Sequence, residues 1–157
     1  MSESLEARLQ RLEDIHALQT LKARYAAHCD ADYDEEALAP LFTEDAVWDG
    51  GPMGRYEGHD AIRAFFSGSN TVMPFAIHHV TNPILEIEGD RATGSWYLWQ
   101  PCTLAEGNQA LWMAGRYDDV YRREAGGWRF EHVTITLRAL SPYEHGWAQI
   151  PMVEVPA

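Results

Sequence analysis

Four stretches of the chain, Ala76 to Glu88, Arg91 to Leu98, Ala110 to Arg122 and Trp128 to Leu137, are dominated by β-branched and aromatic residues. Such residues fit the pleated, half-buried surface of a strand. Glu88-Gly89-Asp90 and Glu124-Ala125-Gly126-Gly127 lie between runs, and their composition is that of hairpin turns. The runs are therefore expected to pair with their sequence neighbours as an antiparallel meander. What precedes them has a different period. Leu5, Leu9, Leu12, Ile15, Leu18, Leu21 and Tyr25 recur every three or four residues among Glu, Arg and Gln, the pattern of one apolar helix stripe. A long helix is predicted from about Ser4 to Ala27. The acids of Asp30-Ala31-Asp32-Tyr33-Asp34 break the stripe as a turn, and a short helix follows from Glu35 to Phe42.

Ala46-Val47-Trp48-Asp49 is strand-like, and Gly50-Gly51-Pro52-Met53-Gly54 punctuates it before Arg55-Tyr56-Glu57. A third helix is predicted from His59 to Phe66, with Gly68 just beyond its end. Helices first and strands after define an α+β class, because nothing alternates as a parallel α/β sheet requires. With 157 residues the chain matches one domain. Ser141 to Ala157 carries Pro142, Pro151 and Pro156 and reads as an irregular arm.

Composition narrows the function. The formal charge of -12 repels phosphate backbones and anionic membrane surfaces, so neither nucleic acid nor membrane is expected as a partner. No apolar run is long enough to cross a bilayer and no basic-then-apolar leader opens the chain, so a cytoplasmic protein is expected. Cys29 and Cys102 stand far apart, outside any disulfide or zinc spacing. Phosphate loops, the Gly-x-Ser-x-Gly elbow and His-Glu-x-x-His are missing from the sequence. His28, His79 and His132 have no carboxylate-histidine spacing that would support a metal. Neither a metal nor a cofactor is expected.

Several local motifs in order carry a family resemblance. They are Tyr25-Ala26-Ala27-His28-Cys29-Asp30, then Leu41 to Trp48, then Tyr56-Glu57-Gly58-His59-Asp60-Ala61-Ile62. His78-His79-Val80-Thr81-Asn82-Pro83, Gly89 to Tyr97 and Gly115 to Phe130 follow. In this order the chain resembles the SnoaL-like branch of the nuclear transport factor 2-like superfamily, over nearly its whole length. The resemblance implies a cystatin-like cone: a strongly curved antiparallel sheet wrapped by N-terminal helices, with an apolar pocket between them. A fold of this kind hosts many functions, so the pocket must supply the argument.

Within the branch the chain is similar to cofactor-free eliminating enzymes, the bile acid and scytalone dehydratases and the hexachlorocyclohexane dehydrochlorinases. The resemblance places a histidine base at His78 and its orienting aspartate at Asp30. A carboxylate holding one imidazole nitrogen fixes the tautomer and stabilises the imidazolium formed when the other nitrogen takes a proton. From the residues alone, His78 also fits a sheet histidine and Asp30 a turn former. Tyr25 matches a phenol that would assist a departing oxygen, although it equally belongs to the helix stripe. Gln100 stands where the bile acid dehydratases carry a second acid. Tyr25 replaces the dehydrochlorinase lysine and Val133 falls near its arginine, which disfavours loss of chloride. Arg138 is a candidate positive charge, with a surface position as the other reading.

Six tryptophans are a heavy aromatic load. Trp48, Phe75, Trp96 and Trp112, with Gln100 and Arg138, are the expected substrate-binding residues of a flat hydrophobic pocket. The reading that results is a cofactor-independent lyase, a dehydratase or deformylating enzyme, acting on a small hydrophobic aromatic or polycyclic alcohol. Left open are an isomerase or cyclase of the ketosteroid and polyketide type, a small-molecule-binding module, and an oxygenase small subunit. A homo-oligomer, dimer or trimer, is expected.

Overall fold

A computed structural model of the chain describes residues 4–154. Helix α1 spans Leu5–Asp30 and starts at Ser4, whose hydroxyl accepts from the Ala7 N–H at 3.2 Å. It ends three residues beyond the predicted end and carries Asp30 as its last residue rather than placing it in a turn. Leu18, Leu21 and Tyr25 are buried, whereas Leu5, Leu9 and Leu12 project into solvent at the outer end. Helix α2 covers Glu35–Leu38 and a 3-10 turn follows at Ala39–Leu41. Helix α3 runs His59–Val72, through Gly68 and beyond the predicted end, burying Ile62 and Phe66.

Among the described residues seven strands form one curved, unclosed sheet: β1 Phe42–Asp49, β2 Arg55–Glu57, β3 Phe75–Ala76, β4 His79–Glu88, β5 Arg91–Leu104, β6 Gln109–Glu124 and β7 Gly127–Pro142. The order is β2-β1-β7-β6-β5-β3, with β4 also on β5. The meander β4-β5-β6-β7 is antiparallel as expected. β1 lies parallel to β7, so the sheet is mixed. Strands β5 to β7 outrun their predicted ends. β5 continues through Pro101, and β7 takes in Ser141 and Pro142 from the expected arm. After that strand the chain turns back until Met152 bridges to Leu140 and Val153 packs on the core.

Alternation sorts the faces. On β5, Trp96, Leu98, Gln100, Cys102 and Leu104 are buried while Tyr97 and Trp99 are exposed. α1 packs on β4 and β7, and α3 on β1 and β2. The core is aromatic: Tyr25 meets Phe42, Phe66, Tyr117 and Phe130 edge-on at 5.5–6.2 Å between ring centres. Edge-to-face contact sets the negative face of one ring against the positive edge of the next.

Candidate active site

The sheet edge is interrupted between β3 and β4, and His78 sits in the interruption. Ala76 faces Cys102 and His79 faces Trp99, so the register is kept and His78 stands opposite Gln100. Ile77 donates its N–H to Pro101 O at 3.1 Å; Pro101, having no N–H, cannot return that bond. The next N–H, that of His78, faces outward from the edge and donates to Asp30 Oδ1 at 3.0 Å and Oδ2 at 3.3 Å. The His78 ring meets the same carboxylate, Nδ1 to Oδ1 at 2.7 Å. Its side chain is 6% exposed. Asp30 therefore grips main chain and ring together, which fixes the imidazole's rotamer. As the ionised carboxylate only accepts, it selects the tautomer with the proton on Nδ1. Nε2, across the ring, keeps its lone pair.

The ring lines a cavity of about 720 Å³ between the helices and the concave sheet face. Most of the wall is apolar. Trp48 lies 4.4 Å from Phe65 between ring centres, and Phe65 stacks on Tyr56 at 4.3 Å. The polar lining is the His78 ring, the phenols of Tyr25, Tyr33, Tyr56 and Tyr117, the Gln100 amide, Ser69 and the Cys29 thiol. No lysine, arginine or carboxylate lines it among the described residues. Burial pushes the Tyr25 and Tyr117 hydroxyls well above the usual phenol range and raises the Cys29 thiol. All three stay neutral at physiological pH. The Tyr25 hydroxyl accepts the Trp48 indole N–H at 3.0 Å, which ties the end of α1 to β1.

Behind this wall lies a buried ion pair. Lys22 Nζ is 2.8 Å from Asp119 Oδ2 and 3.4 Å from the centre of the Tyr117 ring. Tyr121 donates to Asp119 at 2.8 Å and receives the Trp96 indole N–H at 3.0 Å. Burial lowers the Lys22 ammonium and raises the Asp119 carboxyl, each partly offset by the other's charge.

Of the expected site residues, His78, Asp30, Tyr25, Trp48 and Gln100 come together; four do not. Phe75 is 49% exposed on β3 and lies outside the cavity lining. Trp96 is on the concave face, but it lies nearer the hairpin end of β5 and is committed to Tyr121. It also lines a separate surface cleft with Asn82, Tyr97 and Arg116. Trp112 faces outward and stacks on Trp99 at 5.1 Å. Arg138 falls at a bulge, where Ala139 pairs with Ala114 but Leu137 with Gly115, and is exposed to solvent. Sequence reasoning missed Tyr33, Met73, Phe65 and Tyr56. Tyr33 offered one signal, a lone aromatic inside an acidic turn.

Comparison with known proteins fits this construction. A SnoaL-like domain model matches residues 10–134. A gamma-hexachlorocyclohexane dehydrochlorinase of Sphingobium indicum is 31% identical over 126 residues, covering 78% of this chain and 79% of its own. The structure of a proposed aromatic ring hydroxylase from Novosphingobium aromaticivorans superposes with a TM-score of 0.77 at 32% identity, covering 83% of this chain and 94% of that one. A hexachlorocyclohexane dehydrochlorinase from Novosphingobium barchaimii gives 0.80 at 27% identity, covering 86% and 93%. The relatives thus include lyases. With the matched model spanning most of its length, the chain belongs to the SnoaL-like domain family.

Proposed function

We propose that this protein is a cofactor-independent lyase in which His78 is the general base and Asp30 its orienting partner. The observation that carries the reading is the 2.7 Å Nδ1–Oδ1 contact at the edge of an apolar cavity. A neutral imidazole with a fixed tautomer is suited to take a proton and to hold the resulting charge beside a carboxylate. In dehydration, Nε2 takes a proton from carbon, the electron pair forms the new double bond, and the carbon–oxygen bond breaks. The leaving hydroxyl takes a proton from a phenol such as Tyr25 and departs as water. In deformylation, Nε2 takes the alcohol proton, the carbon–carbon bond breaks with its electron pair left on the remaining carbon, formaldehyde leaves, and the imidazolium returns its proton to that carbanion.

The cavity's size is within the range of small-molecule sites, and its aromatic wall suits an aromatic or polycyclic alcohol. The dehydrochlorinase relatives expel chloride by name. Here the lining offers phenols and an amide without a lysine or arginine, which favours an oxygen leaving group over a halide.

The test is mass-resolved turnover of purified protein, without added cofactor, against hydroxysteroids, polyketide alcohols and diaryl alcohols, beside His78→Ala. A product lighter by water or formaldehyde, lost in the variant while its circular dichroism stays unchanged, is the expected result. Full activity in the variant refutes the base; a product of unchanged mass points instead to an isomerase or cyclase using the same histidine.

A further inference from the structure

Two strong hydrogen-bond donors in the cavity share one poor acceptor. Tyr33 Oη donates to Met73 Sδ at 3.3 Å and Gln100 Nε2 donates to the same sulfur at 3.2 Å. Tyr33 is 9% and Gln100 2% exposed. A thioether accepts weakly, so a buried phenol and a buried amide aimed at it are left far short of the bond each would make to oxygen.

We propose that Tyr33 Oη and Gln100 Nε2 are a paired donor site for one substrate oxygen, and that the Met73 thioether fills the place of that oxygen until substrate arrives. The inference rests on the lyase reading above and names the substrate's recognised group: a carbonyl or hydroxyl oxygen with two lone pairs for two neutral donors, next to the base. Gln100 stands directly across from His78 in the sheet register, and the Tyr33 ring is edge-on to the imidazole at 6.2 Å. An oxygen held here sits on an atom next to the one from which His78 takes its proton, where negative charge develops.

The backbone supports the same assignment. Asp32 and Tyr33 have φ of 56° and 55°, a left-handed conformation that bulky residues rarely adopt. It is held by Tyr33 N–H on Cys29 O at 3.1 Å and Asp34 N–H on His28 O at 3.2 Å. The turn carries Tyr33 from the end of α1 back into the cavity. Burial raises its hydroxyl pKa, so it remains a donor. Met73 caps α3 at its C-terminus, and its unbranched side chain withdraws easily.

Binding of 2-acetylnaphthalene and of its hydrocarbon counterpart 2-isopropenylnaphthalene tests the pair by calorimetry, without turnover. Tyr33→Phe and Gln100→Leu should each weaken the ketone about tenfold, the factor for one buried hydrogen bond, and leave the hydrocarbon unchanged. Met73→Leu should bind the ketone as tightly as the parent or more so. In the infrared, the bound ketone's carbonyl stretch should lie lower in the parent than in Gln100→Leu, a readout that survives if the tyrosine variant fails to fold. Equal losses for both probes, or an unshifted carbonyl, overturns the proposal, and a tenfold loss in Met73→Leu overturns the placeholder role. The lyase reading is tested by turnover in His78→Ala and the donor pair by ketone binding in the parent, Tyr33→Phe and Gln100→Leu, so failure of the one is distinguishable from failure of the other.

Discussion

Replacing Lys22 with Met isolates the energetic role of the charge buried behind the cavity. The two side chains of the Lys22–Asp119 pair are 1% and 0% exposed, so solvent screening is slight. In Lys22→Met, Asp119 keeps only the Tyr121 hydroxyl donor, and its other oxygen has no hydrogen-bond partner even in the parent. Breaking such a pair from one side costs about 3–5 kcal/mol, because an uncompensated charge stays buried. For a domain of this size each kcal/mol moves Tm by roughly 2–4 °C, so thermal unfolding should drop by roughly 6–20 °C at neutral pH.

The pH dependence has a defined sign. Burial raises the Asp119 carboxyl and Lys22 pulls it back down, so removing Lys22 raises it further. A carboxyl whose folded pKa lies above its unfolded value destabilises the fold above that folded pKa, and the penalty fades as pH falls through it. The Tm gap between parent and variant should therefore narrow on acidification. Lys22→Met with Asp119→Asn should recover more than half of the loss. It should not recover all of it, because the cation 3.4 Å above the Tyr117 ring contributes up to about 2 kcal/mol when desolvated. A loss under about 1 kcal/mol at neutral pH, or a double variant no better than the single, refutes the reasoning.

Asp30→Asn should lower kcat by roughly 10²–10⁴-fold with little change in KM, since an amide cannot stabilise the imidazolium; steady-state kinetics showing less than a tenfold fall removes the dyad from the mechanism. Gly50→Ala would set a methyl 2.6 Å from the Trp48 ring, and this should push Trp48 off Tyr25 and weaken naphthyl ketone binding; unchanged affinity by calorimetry counts against Trp48 as a wall of the site. Trp99, Trp112, Trp147 and Tyr143 form an aromatic patch on the outer sheet face, with Trp147 56% and Tyr143 63% exposed. The homo-oligomer expected from the sequence would bury this patch, so Trp99→Glu should lower the sedimentation mass, and a mass equal to the parent's refutes that use of the patch.

What was legible in the sequence follows from the range of the forces involved. The turns at Gly89 and Gly127 fall where composition puts them, because a left-handed glycine is a local requirement. Strand ends were not local: β5 keeps pairing through Pro101 since β6 faces it along its whole length, and tertiary pairing overrides propensity. The parallel contact of β1 with β7 joins segments far apart in sequence, and no period records it. In α1 the stripe is continuous, yet Leu5, Leu9 and Leu12 lie beyond the body of the fold, because a period specifies a face and not what covers it.

The site divides along the same line. Parity on a strand assigns a face, so Gln100 turns inward and Trp99 outward. Parity does not say how far along the face a cavity extends, and Trp96 packs into the core past its end. His78 and Asp30 came from the family motif, but the physical reason they meet is that His78 lies on the edge segment of the sheet, where its N–H turns away from β5 and takes the carboxylate. Tyr33 was hidden because a turn of acids reads as solvent-facing. Its left-handed φ reverses that reading, since the turn that ends α1 is also the device that returns a phenol to the cavity beside His78. Local punctuation and the geometry of the proposed site meet here in the same five residues, Asp30 to Asp34. A change such as Asp32→Pro, which forbids positive φ, should accordingly remove the Tyr33 donor while leaving the His78–Asp30 contact in place.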